Sequence, residues 1–566
     1  MAASVHPARA DRAAARAPEL ALALVCVVAL AVVLHAGRGL TFFYDEWDFI
    51  LHRRGISLTT FLAPHGGDHP SILPVAIYKT MLQIFGLGSY LPYRLLVALL
   101  HVACGVLLYV YARRRVGAWL ALVPAALLLF LGSAWQDIVW AFQIGFLLSL
   151  VSGLATLLVL DARTRRDWLA CLLLVVSFTS SALGLAFVVV AGVEIVIRRQ
   201  WARIWLVAVP IAVLAVLYAG WGGNGPERQL ADPAHAVRYA LDMAAAGVGG
   251  LAGLGLDWGR PLLVAAAVVV GAAAIVRPTE AIRAAGLAAG ALALLLLTGL
   301  SRAEFQPPVP PETSRYIYPT ALMLLLLSVS VLGGRSFGRR PLLIACIGFV
   351  TALACVSGAG VLGDGASGLR SVSQTLLPEL SALEAARGSV DPSFAPDPER
   401  APPVTARSYF EAIDAFGSPA PSLAEIRRGG PAAQATFDAA LARALGLAPV
   451  QQASAPATGA APPVESAAGG RTAPDGKCLR FESSGSGAAL DLAVAPGRGL
   501  TVHAQPGPPV EVRARRLANE FSPAVTIGAI AGGTDATLAV KRDSLDVPWH
   551  VRLSPRQALR VCSIDG

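Results

Sequence analysis

Residues 20–48 read LALALVCVVALAVVLHAGRGLTFFYDEWD, an uncharged apolar run from Leu20 to Leu34 followed by an aromatic stretch that carries Asp45, Glu46 and Asp48. A bilayer core about 30 Å thick takes roughly 20 helical residues to cross. Similar runs recur as far as Cys355, near 20–36, 90–111, 117–133, 142–160, 168–180, 183–197, 204–220, 261–276, 285–300, 316–333 and 341–358. The expectation is therefore an α-helical polytopic membrane protein of about eleven spans. The fifth and sixth runs are short and meet through Ser177–Ser181, which leaves a re-entrant pair or a tight hairpin open. Carboxylates are expensive beside hydrocarbon and seldom sit there without a function. An acidic pair at a membrane exit, among Phe42, Phe43, Tyr44 and Trp47, is accordingly the first candidate for chemistry.

Composition agrees with the membrane class: 55% of residues are hydrophobic and 15% charged, outside the usual soluble range. The net charge of +9 does not imply a nucleic-acid partner, because the arginines cluster at alternate ends of the runs. Arg9, Arg12 and Arg16 come first, then Arg113–Arg115, Arg163 with Arg165 and Arg166, Arg198 with Arg199 and Arg203, Arg277 with Arg283, and Arg335 with Arg339 and Arg340. That is the positive-inside pattern. It predicts a multi-pass plasma-membrane protein with its N-terminus in the cytoplasm and everything beyond about residue 360 outside.

The expected organisation is a cytoplasmic tail (1–19), a transmembrane catalytic domain (20–360), an extracytoplasmic helical segment (361–450), a flexible Ala/Pro/Gly/Ser linker (451–476) and a β-rich domain (477–566). Helices are expected near 373–386, 406–416 and 431–445, and an interfacial amphipathic helix over 71–85. After Cys478, short runs such as Val510-Glu511-Val512-Arg513 alternate apolar and polar between Gly/Pro turns, the pattern of a small β-sandwich. Cys478 and Cys562 bracket that domain, and a disulfide between them suits an extracytoplasmic location. Cys26, Cys104, Cys171, Cys346 and Cys355 lie in apolar runs and read as small hydrophobes. No Walker loop, dinucleotide fingerprint, Ser-His-Asp arrangement or zinc-type spacing is present.

The ionisable residues outside the runs fall in the outer loops. Adjacent side chains diverge, so of Asp45 and Glu46 one can act as general base or metal ligand while the other does something else. Asp68 with His65 and His69 could bind a metal or sugar hydroxyls, although turns use the same residues for local hydrogen bonds. Lys79 and Arg94 could hold a lipid phosphate or snorkel to headgroups. Arg315, followed by Tyr316, stands at an outer boundary where the positive-inside bias disfavours arginine, and its forked guanidinium suits a phosphate. Asp137, Trp140 and Gln143 offer stacking and polar groups suited to a sugar. The midplane reads as almost clean, apart from Glu194 and the Ser177–Ser181 break, which favours surface chemistry over translocation.

With the acidic pair Asp45-Glu46 after the first helix, the stretch Ser89-Tyr90-Leu91-Pro92-Tyr93-Arg94 and the late-helix start Ser314-Arg315-Tyr316, residues 20–360 resemble the GT-C superfamily of integral-membrane glycosyltransferases. The resemblance implies an inverting transfer from a polyprenyl-phosphate sugar to a glycan, lipid or protein acceptor outside the cytoplasm. It also implies a carboxylate catalyst, here Asp45 or Glu46, and in some members a divalent cation such as Mg or Mn. The reading expects these groups to gather in one chamber above the lipid. The alternatives are a transporter or flippase for lipid-linked sugars, and a non-catalytic envelope-assembly protein.

Overall fold

The computed structural model describes residues 7–53, 57–65, 70–162, 166–221, 230–276, 278–333, 341–451, 460–521 and 525–565. In chain order the helices are α1 (Pro7–Ala36), α2 (Glu46–Leu51), α3 (Leu58–Leu62), α4 (Ile72–Phe85), α5 (Leu91–Val116), α6 (Leu122–Leu129), α7 (Trp135–Val139), α8 (Ile144–Leu160), α9 (Asp167–Ser180), α10 (Gly184–Ile197), α11 (Trp205–Trp221), α12 (Pro233–Leu251), α13 (Leu256–Val276), α14 (Pro278–Arg302), α15 (Ser314–Leu332), α16 (Pro341–Ala385), α17 (Ala406–Phe416), α18 (Leu423–Arg428) and α19 (Pro431–Leu445). The strands follow as β1 (Val450–Gln451), β2 (Val464–Ala468), β3 (Gly470–Asp475), β4 (Cys478–Ser483), β5 (Ala489–Val494), β6 (Arg498–Ala504), β7 (Val510–Arg515), β8 (Thr526–Ile530), β9 (Asp535–Ala539), β10 (Trp549–Ser554) and β11 (Leu559–Asp565). The chain forms two compact units. The first comprises Met1–Leu40, His52–Ile84 and Tyr90–Arg370; the second comprises Thr41–Leu51, Phe85–Ser89 and Ser371–Gly566.

The first unit is the helical one. Among the described residues eight helices are long and apolar enough to cross a bilayer, or nine if the bent pair Leu122–Leu129 and Gly132–Val139 is one span. The expectation of eleven is reduced by length: α9 and α10 have 14 residues each, about 21 Å at 1.5 Å per residue, short of a full hydrocarbon core. The helix boundaries have local causes. Proline stands in the first turn of α5, Arg113, Arg114 and Arg115 in its last, and Gly117 follows at φ 86°. The proline's missing N–H costs nothing there, the cations suit the negative end of the helix, and glycine takes the left-handed exit without strain.

A break at Phe130 and Leu131 bends the chain by 44° between Leu122–Leu129 and Gly132–Val139. Two glycines make it possible. A Cβ on Gly132 would lie 1.7 Å from the Gly358 carbonyl oxygen, and one on Gly358 would lie 1.9 Å from the Phe130 oxygen. The broken segment and α16 therefore touch backbone to backbone. A bend also leaves helix-end carbonyls without intrahelical donors. His101 of α5 answers one of them: its Nε2 lies 3.1 Å from the Leu129 oxygen and its Nδ1 2.9 Å from the Tyr318 hydroxyl. A carbonyl only accepts, so Nε2 carries the proton and Nδ1 accepts from Tyr318. His101 is fully buried within α5, a polar group inside an apolar helix beside those expected at Glu194 and Ser177–Ser181.

α16 runs on to Ala385, so the helix expected over 373–386 is the end of one 45-residue helix rather than a separate element. The boundary expected at 360 falls inside this helix, where tight packing offsets the low helix propensity of glycine: Gly358 meets the break and Gly365 meets the Trp135 ring.

In the second unit, two antiparallel sheets run in the orders β1-β9-β6-β11-β4-β3 and β2-β5-β10-β7-β8. Burial alternates along β7 and β10, as period-2 geometry requires. Leu490, Val512 and Val551 of one sheet share a hydrophobic core with Leu500, Val502 and Val561 of the other, and with Phe437 and Leu441 of α19. Asp438 of α19 accepts from the backbone N–H groups of Arg516, Leu517 and Ala518 just past β7. Arg516 pairs with Asp543, both side chains fully buried. The helical segment and the β-rich part are thus one body. The expected linker 451–476 holds β2 and β3; these are edge strands, β2 exposed along its whole length, so no apolar alternation marked them. Cys478 and Cys562 oppose each other across β4 and β11 and are disulfide-bonded.

Candidate functional site

The acidic turn belongs to the second unit. Glu46 is fully buried, and its Oε2 accepts from the Phe43 backbone N–H at 3.1 Å. The Trp47 indole donates to the Phe42 carbonyl at 3.2 Å, and its ring packs against Tyr409 with centroids 5.9 Å apart. The Tyr44 N–H donates to the Arg400 carbonyl at 2.7 Å, and Arg400 in turn pairs with Asp397 at 2.8 Å. Tyr44 itself sits at φ 52°, a left-handed conformation that costs a non-glycine residue about 1–2 kcal/mol. Such strain persists where the surroundings over-determine it, most often at functional sites. Asp45, between the strained Tyr44 and the inward Glu46, is only partly buried. The neighbouring carboxylates differ: Glu46 braces the turn from within, and Asp45 keeps partial exposure.

A second polar group lies in the first unit, on the segment after the bend. Gln136 clasps the start of α15 in both directions. Its N–H donates to the Ser314 hydroxyl at 3.0 Å, and its Oε1 accepts from the Arg315 N–H at 3.2 Å. The Ala141 N–H donates to the Tyr90 hydroxyl at 2.9 Å, which fixes the far end of the segment to α5. Between these clasps Asp137 is fully buried, and neither of its carboxylate oxygens has a hydrogen-bond partner. Arg315 is the cation close enough to act on it. Gln143, 1% exposed, likewise has an unpartnered Oε1. Buried polar atoms are nearly always satisfied. Three unsatisfied acceptor atoms on two residues of one short stretch are groups held ready for a donor from a ligand, a water or a proton.

The remaining sequence candidates fall as follows. Trp140 is buried and stacks on Phe142 at 5.1 Å, and the His65 ring meets Phe142 at 5.3 Å. Asp68 and His69 lie outside the described residues. Lys79 places its ammonium 5.9 Å from the Phe61 ring centre. Arg94 is 7% exposed and donates to the Leu34 carbonyl at 2.8 Å, so it serves the C-terminal end of α1, where Arg370 also donates to Ala36. Arg315 is half-buried with its guanidinium 5.5 Å from the buried Tyr316 ring. Sequence reasoning missed Gln136, His101 and Arg370. A lone histidine within an apolar run was the available signal for His101.

Among the described residues no three His, Cys, Asp or Glu side chains converge as a group that could hold a metal ion. A cleft of about 500 Å³ in the second unit is lined by α19 and β8; its one charged group, Arg443, is engaged with Glu379 at 2.8 Å.

No protein-family profile matches the chain, and no curated protein matches it. Among solved structures it is similar to the crystal structure of ArnT from Cupriavidus metallidurans bound to undecaprenyl phosphate, with a TM-score of 0.45 and 16% identity over 66% of this chain and 81% of that one. Similarity of that size assigns no residue and no substrate to this chain.

Proposed function

We propose that the chain is a membrane glycosyltransferase that moves a sugar from a polyprenyl-phosphate carrier to an acceptor hydroxyl outside the cytoplasm. The observation that carries this reading is the acidic turn. Its backbone is strained at Tyr44, its Glu46 is fully buried and accepts from the Phe43 N–H, and its Asp45 is a carboxylate that keeps partial exposure. Asp45 is then the general base: it takes the acceptor proton as the hydroxyl oxygen attacks the anomeric carbon. The bond from that carbon to the phosphate oxygen breaks, configuration inverts, and the carrier leaves as polyprenyl phosphate. Taken by itself, the first unit offers Arg315 as a forked donor suited to a phosphate. Asp137, Gln143 and Trp140 suit sugar hydroxyls and a sugar face. The carrier class named for ArnT, undecaprenyl phosphate, is the class we extend to this chain, with the plasma membrane as its location. The test is transfer from a radiolabelled polyprenyl-phosphate sugar by purified protein in liposomes, with and without EDTA. Appearance of labelled, carrier-free product supports the reading.

The bend in the Leu122–Val139 segment and the buried His101 favour a second reading, a flippase for the same lipid, since such proteins use broken helices and buried polar groups. It would move labelled carrier between leaflets and form no product.

A further inference from the structure

One end of the first unit carries charge that neither the acidic turn nor the segment around Asp137 uses. Val159 and Leu160 at the end of α8, Ala170 and Cys171 near the start of α9, Ile195 at the end of α10, and Leu206 and Val207 at the start of α11 pack into one hydrophobic cluster. Four helix ends therefore meet at one level, and the turns just beyond them hold the charges. Two arginines are committed to the fold. Arg203 holds Asp167 through Nε at 3.0 Å and a second nitrogen at 2.5 Å, and Arg115 pairs with Asp161 at 2.5 Å with both side chains largely buried. Arg198 keeps a distant ion pair with Glu194, at 4.0 Å. Arg166 and Arg199 are exposed and make no ion pair among the described residues. The cluster thus keeps a surplus of positive charge on its outer rim.

Arg199 adds a second observation, from the backbone. Its φ is 54°, and the Gln200 N–H bonds back to the Ile195 carbonyl at 2.9 Å while the Arg199 N–H bonds to Val196 at 3.0 Å. This is a left-handed helix exit, the position where glycine is favoured because it has no Cβ to strain. An arginine there goes against backbone preference, and residues in such conformations cluster at functional and ligand-holding sites. Beneath the charges lies an apolar, aromatic skirt: Trp168 is 66% exposed, Trp201 58% and Trp205 38%. Indole rings favour the headgroup level of a bilayer, and guanidinium groups beside them pair with lipid phosphates.

We propose that Arg166, Arg198 and Arg199, with Trp168 and Trp201, form a binding site for anionic phospholipid headgroups in the leaflet that this end of the bundle faces. The occupant is a phospholipid rather than a soluble anion, because the charged rim continues into exposed apolar surface that only acyl chains would cover.

Native mass spectrometry of the full-length protein titrated with phosphatidylglycerol or phosphatidylcholine tests this. The wild type is expected to retain phosphatidylglycerol about tenfold or more over phosphatidylcholine, and the R166Q/R198Q/R199Q variant to lose that preference. R199G removes one charge while relieving the turn. It is expected to weaken retention of the anionic lipid with no fall in melting temperature, which separates lost binding from lost folding. R16Q, on α1, is expected to keep the preference. Equal retention of both lipids by the wild type, undiminished preference in the triple variant, or an equal loss in R16Q would overturn the proposal.

Discussion

Replacing Asp137 by leucine should make the helical unit more stable and the protein inactive. Both carboxylate oxygens of Asp137 are buried without a hydrogen-bond partner, and leaving a buried polar group unsatisfied costs about 1–3 kcal/mol. Leucine is close in volume and carries no polar atom, so D137L should recover about that amount. In a unit of this size the gain corresponds to a rise of about 1–4 °C in melting temperature. Turnover should fall because the variant offers a sugar nothing to bond, the usual exchange of stability against activity at a site held ready for a ligand. The measurements are a thermal melt of detergent-purified protein and the transfer assay on the same sample. A fall in melting temperature would mean that the carboxylate has a structural partner and that its unsatisfied state is wrong. A more stable protein with wild-type turnover would remove Asp137 from the site.

Three further outcomes are expected. C478S/C562S opens a cross-link between residues 84 apart and should destabilise the second unit by about 2–5 kcal/mol, seen as lost hydrogen-exchange protection in β4 and β11. Gly132→Ala would place a methyl 1.7 Å from the Gly358 oxygen, an overpacking that costs about 1–3 kcal/mol or more and should lower melting temperature and turnover together. Asp491 responds to acid: burial pushes its carboxyl up, but hydrogen bonds from Arg552 and Ser466 and the charge of Arg552 outweigh it and hold the group below the ordinary range. A depressed folded value contributes stability above the unfolded value of about 3.9, and that stability is lost as pH falls through the folded value. Protection of β10 should therefore decline below about pH 4 in the wild type and decline less in D491N.

The membrane architecture was readable in the sequence because apolar runs and arginine clusters report the bilayer directly, whatever the tertiary packing. α17 and α19 were readable for a similar reason, since 406–416 and 431–445 carry their own periodicity and their own stops. What the sequence hid depends on contacts between distant segments. Nothing local says that Gly358 lies against Phe130 and Gly132, so the boundary was expected at 360 where one continuous helix runs through. β2 and β3 lacked alternation because edge strands bury little. The acidic pair was visible at once, but which carboxylate turns inward was not, since that depends on Glu46 reaching back to the Phe43 N–H. Arg94 looked free for a phosphate until the carbonyl of Leu34 came beside it. Asp137 was one polar residue among several, and only its lack of partners sets it apart.

The most direct test of the proposed activity is sugar transfer by D45N measured beside E46Q, each at matched folding. General-base assistance contributes about 10²–10⁴-fold, so D45N should lose turnover on that scale while remaining folded. E46Q should instead weaken the turn and reduce melting temperature and rate together. Turnover near the wild-type level in a well-folded D45N protein would contradict the account.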